Sequence, residues 1–188
     1  MRHSAPHTAA FPPIEKIAFD ELISHLRSAG RFPLRIAMIG TATFIDDDSE
    51  AEPISYDRTV RLAECRSLQD AIITAHARIA HDDVEGSAGD IVRFLPRIVT
   101  VTDSEGRLVA AGEVCARDIR WCEPVKSDGE ARMVVTEASR LRGKAFIESG
   151  SDNPNTARSL RFSASVLEGR LVDKVWRAPV RAALPQTA

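Results

Sequence analysis

The chain has 188 residues, 44% of them hydrophobic and 28% charged, which is enough for a well-buried core and excludes a disordered polymer. The formal net charge is −2, and aromatics make up only 5%, too few for a stacking surface for single-stranded nucleic acid. No run of eighteen apolar residues occurs, so no membrane-spanning helix is expected.

Residues 1–13, "MRHSAPHTAAFPP", have no apolar stretch of signal-peptide length and read as a flexible N-terminal tail. A single domain is expected over residues 14–188, with cytoplasmic residence as the default. Ile14, Ile17, Ala18, Leu22 and Leu26 share one helical face, and Gly30 stands where a C-terminal cap belongs. "PLRIAMIGTATFI" (33–45) and "ISYDRTVRLAE" (54–64) read as two strands joined by the acidic loop "DDDSEAEP". Leu68, Ile72, Ala75 and Ile79 then predict a helix capped by Ser67, with Asp70 three residues on. "DVEGSAGD" reads as a loop.

The segment 96–121 predicts a hairpin, with strands near Arg97–Thr102 and Arg107–Ile119 about a turn at Glu105-Gly106. Val134, Ala138, Leu141 and Ala145 support a further helix, broken by "GSDNPN". Beyond it, Ala157, Leu160, Ala164, Leu167 and Leu171 fit a helix, while Leu160, Phe162, Ala164 and Val166 fit a strand. The pentapeptide EGRLV occurs at 105–109 and again at 168–172. With Gly169 and several serines weakening a helix, a second hairpin over Ser159–Trp176 is favoured. The expected fold is α+β: a mostly antiparallel sheet of five to seven strands, two or three helices on one face, and a ββαββ unit from Pro33 to Ile119.

Few residues suggest chemistry. The cysteines, Cys65, Cys115 and Cys122, are odd in number and lack zinc-knuckle spacing, so reduced thiols are expected. The acidic run Asp46, Asp47, Asp48, Glu50 and Glu52 lacks the glycine and closing glutamate of a calcium loop. His76 and His81 are five apart and share a helical face poorly, so no metal site is expected. The chain contains no Gly-x-Ser-x-Gly, Walker or His-Glu-x-x-His pattern.

One stretch stands out. In "RLRGKA", Arg140, Gly143 and Ala145 match the pattern Arg/Gln-x-x-Gly-x-Gly/Ala. This resembles the acyl-CoA pyrophosphate loop of the GNAT acyltransferases. The resemblance implies a strand at "ARMVV" entering a loop, whose backbone N–H groups meet the pyrophosphate at a helix N-terminus. It would assign Arg140, Arg142, Gly143, Lys144 and Ala145 to an acyl-CoA cofactor and make the chain an N-acyltransferase. Read without it, the same residues form an amphipathic helix with Arg140 and Lys144 in water.

Charge is uneven. Residues 1–130 carry 15 basic and 22 acidic side chains, and residues 131–181 carry 10 and 5. The positive part suits an anionic ligand or an acidic protein surface, or the opposite charges of a homo-oligomer. With four lysines and few aromatics, sequence-specific nucleic-acid reading is not expected. The leading expectation is a small binding or accessory protein without catalytic machinery of its own; the acyltransferase is the alternative.

Overall fold

Six stretches rich in β-branched and aromatic residues pair antiparallel in a computed structural model that describes residues 14–45, 54–79, 84–87, 90–151 and 153–184. The strands are β1 (Leu34–Ile45), β2 (Ile54–Cys65), β3 (Val84–Ser87), β4 (Asp90–Thr102), β5 (Leu108–Cys115) and β6 (Asp118–Trp121). Five helices accompany them: α1 (Ile14–Ser28), α2 (Leu68–Ile79), α3 (Asp128–Ser149), α4 (Pro154–Glu168) and α5 (Lys174–Ala183). The strands run in the order β2-β1-β4-β5-β6, and the short β3 pairs beside β4 off this path.

Alternation along the strands sends side chains to two faces, and helices pack on part of each. On one face, Leu34, Ile36 and Met38 of β1 and Val99 and Val101 of β4 join a buried cluster with Leu26 of α1, Leu68 and Ile72 of α2, and Trp176 and Val180 of α5. The ladder keeps this row aligned, setting Ile36 opposite Val101 and Met38 opposite Val99. The other face is crossed by α4, which packs on β4 and β5. There Arg97 stacks over Phe162, 5.1 Å from the ring centre. Helix α3 lies outside α4 and packs on it through Val134, Ala138 and Ala145.

Asp103 locks the β4–β5 turn to α5. It is the only buried charged side chain among the described residues. Its Oδ1 accepts the backbone N–H groups of Glu105 and Arg107, each at 2.9 Å, and its Oδ2 accepts Trp176 Nε1–H at 3.2 Å. Gly106 sits at φ +79°, the left-handed region that this turn requires.

The α+β class, the first helix, the two long strands, the Ser67 cap (Asp70 N–H to Ser67 Oγ, 3.0 Å) and the turn at Glu105-Gly106 agree with the sequence reading. Five expectations need correction. Among the described residues there are five helices, not two or three, and they pack on both sheet faces. "DVEGSAGD" is not simply a loop, because Val84–Ser87 pairs with Asp90–Arg93. The expected strand Arg107–Ile119 turns back at Ala116-Arg117, giving β5 and β6. With β3 added and that strand divided, the segment from Pro33 to Ile119 is not a simple ββαββ unit.

The fifth correction is the hairpin over Ser159–Trp176, which is instead the end of α4, a turn and the start of α5. Pro154 begins α4, where its missing N–H costs nothing, and Gly169 stands just past its end. Ala157 and Ala164 bury against neighbours at helical spacing, so packing outweighs the weak propensity of the serines. The two EGRLV copies thus adopt different structures, a hairpin turn and a helix end. Residues 1–13, the acidic run 46–52 and His81 lie outside the described residues.

Candidate functional site

The residues of "RLRGKA" lie in the middle of a continuous helix. Ser127 caps α3 by accepting Glu130 N–H at 3.1 Å, and the helix runs unbroken through Gly143. Residues 131–135 are therefore helical, and the strand-to-helix loop implied by the acyltransferase resemblance is not formed.

The basic side chains of this stretch have partners within the protein. Arg140 grips Glu137 through Nε (2.7 Å) and Nη2 (2.5 Å), and this hydrogen bond holds the Glu137 carboxyl below its ordinary range. Arg142 bridges to α4, with Nε 2.7 Å and Nη2 2.5 Å from the two oxygens of Glu168. That hydrogen bonding raises the Arg142 guanidinium above its usual value. Ala145 is buried, and Gly143 faces open space, with nothing within 4 Å of where a Cβ would stand. Lys144 is exposed and makes no ion pair among the described residues.

A second group bridges α2 and β6. Trp121 Nε1–H donates to His76 Nε2 at 3.0 Å, and His76 Nδ1 lies 3.4 Å from Asp118. Both ring nitrogens are engaged, so this imidazole braces two elements and has no nitrogen left for a substrate. Among the described residues, no group of three or more His, Cys, Asp or Glu could hold a metal ion, and no helix is long and apolar enough to cross a membrane.

One cleft with room for a ligand comes from three distant parts of the chain. Helix α1 contributes Phe19, Ile23 and Arg27; the link after it contributes Phe32; the start of α2 contributes Ser67, Leu68 and Gln69; the end of α5 contributes Ala182 and Ala183. Together with Asp20 and Ser24 they enclose about 540 Å³. A neighbouring hollow shares Arg27 and Phe32 and adds Pro33, Glu64 and Arg66.

Local structure explains this convergence. Gly30, at φ +70°, ends α1 and turns Phe32 back onto Trp176, edge to face with ring centres 5.6 Å apart. The Ser67 cap starts α2 just after Arg66. Glu64 is neutralised by Arg35, with Nε at 3.1 Å. Arg27 and Arg66, like Arg61, Arg78, Arg93 and Arg117 elsewhere, have no hydrogen-bond or ion-pair partner among the described residues, whereas Arg35, Arg107, Arg120, Arg140, Arg142, Arg158, Arg170 and Arg177 all sit in ion pairs.

None of the cleft residues was singled out as a site by the sequence. Arg27 and Arg66 are 39 positions apart and match no motif. Their shared destination depends on how α1 and α2 pack against α5. No protein-family model, no curated protein and no solved structure matches the chain.

Proposed function

We propose that this is a binding protein whose ligand is a small organic anion with an apolar body, held in the cleft between α1, α2 and α5. One observation carries the reading: two arginines without partners among the described residues flank a cavity walled by Phe19, Ile23, Phe32 and Leu68. The cavity is of ligand size, and its mostly apolar wall with a few polar groups at the rim is the usual composition of a small-molecule site. At about 30 Å³ per atom, the liquid share of a water, it has room for roughly eighteen heavy atoms. A carboxylate or phosphate head would meet the planar forks of Arg27 and Arg66, and the positive end of the α2 dipole adds to the attraction. The apolar body would cover the phenylalanines.

The test is thermal unfolding with decanoate, octyl phosphate, decanol and inorganic phosphate. The two amphipathic anions should raise the midpoint, because a ligand at 100 times its Kd stabilises the native state by about 2.7 kcal/mol. Decanol and inorganic phosphate should do little. Arg27→Ala and Arg66→Ala should each weaken the response to decanoate, as should high salt. Equal responses to decanol and decanoate, or none to either anion, would refute the reading.

A further inference from the structure

We propose that two copies of this chain pair through the outer face of α3, side by side and antiparallel. The proposal is independent of the ligand cleft. It starts from an unusual exposure. Helix α3 turns Val134, Ala138 and Ala145 inward to α4, yet four large apolar side chains point away from it. Phe146 is 83% exposed, Met133 67%, Ile147 66% and Val135 49%.

These four lie at two levels along the helix. Met133 and Val135 lie near the helix start and Phe146 and Ile147 near its end, about 17 Å apart at 1.5 Å per residue. Between them the outer face carries two small exposed residues, Ser139 and Gly143, and nothing stands within 4 Å of a Cβ at Gly143. At 100° per residue, Val135 and Phe146 flank the stripe on one side, and Met133 and Ile147 on the other.

An antiparallel pair about a two-fold axis brings each flank against its own equivalent on the second copy. Val135 then meets Phe146 of the second copy, and Met133 meets Ile147 of the second copy. The two flanks give registers that agree to within one residue. Ser139 and Gly143 of the second copy then lie within one or two residues of facing each other, and with both side chains small the two backbones can approach closely at the centre. Lys144, which makes no close ion pair among the described residues, comes near Glu137 of the second copy. Arg140 lies nearest the axis, where its bidentate bond to its own Glu137 offsets the like charge across the symmetry.

The area is also adequate. The four side chains expose on the order of 500 Å² per copy, comparable with the largest apolar patch of a typical monomer and often functional. Two copies would bury about 1,000 Å² from these chains alone, the level at which specific interfaces begin.

Sedimentation equilibrium of the full chain should show a dimer that dissociates on dilution. Phe146→Asp should give a monomer with an unchanged helical circular-dichroism signal, since the residue touches solvent and not the core. A second measurement does not depend on disrupting the fold. In a Cys115→Ser background, Arg140→Cys should cross-link to its equivalent through a short bis-maleimide. Arg132→Cys should not, because the antiparallel register places the two copies of position 132 at opposite ends. A monomer at every concentration, including one that instead binds anionic vesicles or an acidic peptide, overturns the proposal. Cross-linking at 132 but not at 140 overturns it equally.

Discussion

Replacing Asp103 with alanine tests the idea that one buried carboxylate fastens the β4–β5 turn to α5. The side chain accepts three hydrogen bonds, and bonds to a charged group contribute roughly 1.5–3 kcal/mol each. The gross loss is therefore about 5–9 kcal/mol. Two corrections reduce it. The N–H groups of Glu105 and Arg107 belong to exposed turn residues and regain bonds to water. Removing the carboxylate also removes its own desolvation cost, several kcal/mol. Trp176 has no such recourse, because it is fully buried and its indole N–H would be left without an acceptor. The net expectation is destabilisation by about 2–4 kcal/mol. With an m-value near 2 kcal/mol/M in urea, the unfolding midpoint should fall by about 1–2 M. Trp176→Phe removes the donor and also part of a fully buried ring, so it should cost about 2–3 kcal/mol. The double variant should cost less than the sum of the two singles, since both remove the same bond. A midpoint shift below about 0.3 M for Asp103→Ala, or strict additivity in the cycle, would refute the clamp.

Gly143→Ala should stabilise the chain by up to about 1 kcal/mol, because alanine is the better helix former and its methyl meets open space. Urea unfolding in the Phe146→Asp background isolates this from pairing, and destabilisation there would contradict an outward, helical Gly143. In the same preparation calorimetry with CoA should show no binding at Arg140–Ala145. Glu130 is held below the ordinary glutamate range first by the Lys126 backbone N–H and then by Arg170, so the native state binds its proton less readily than the unfolded chain. Its contribution is complete above the unfolded glutamate value and is lost as pH falls through the depressed native one. Glu130→Gln should therefore flatten the acid limb of stability against pH; an unchanged slope would count against the Lys126–Glu130–Arg170 contact. At pH 8 iodoacetamide should modify exposed Cys115 well before Cys122, whose thiol burial pushes up to about 11, with peptide mass spectrometry as the readout. Faster labelling of Cys122 would mean that it is not held against α4.

Local signals in the sequence located the elements best where the backbone itself imposes a requirement. Gly30 and Gly106 stand at left-handed positions, and Ser67 caps its helix, so each boundary is written in one residue. The Ala116-Arg117 turn carries no such mark, because alanine occupies a positive φ that glycine or asparagine usually fills. The C-terminal third was ambiguous for a different reason. Phe162 and Ala164 suit a strand as well as a helix, and only burial against the sheet and α3 separates the two. The inward face of α3 was legible, since Val134, Ala138 and Ala145 fall at helical spacing and are buried, but that Met133, Val135, Phe146 and Ile147 stay exposed shows only in the packed structure. The cleft lay beyond sequence reading altogether, since Arg27 and Arg66 become neighbours only through tertiary packing.

The strand order also constrains how the chain reaches this structure. β1 and β2 join as a hairpin, and β4, β5 and β6 form a meander, so both blocks can assemble from neighbours in sequence. The seam between them is β1 against β4, where Arg35 pairs with Thr102 more than sixty residues later. Closing that seam fixes a long stretch of chain before its contacts reward it, which is the feature that slows folding in sheet proteins to milliseconds or longer. Until it closes, β1 and β4 each present an unpaired apolar edge. The interval before closure is therefore when the chain is most exposed to strand exchange with another molecule, and synthesis supplies β1 well before β4.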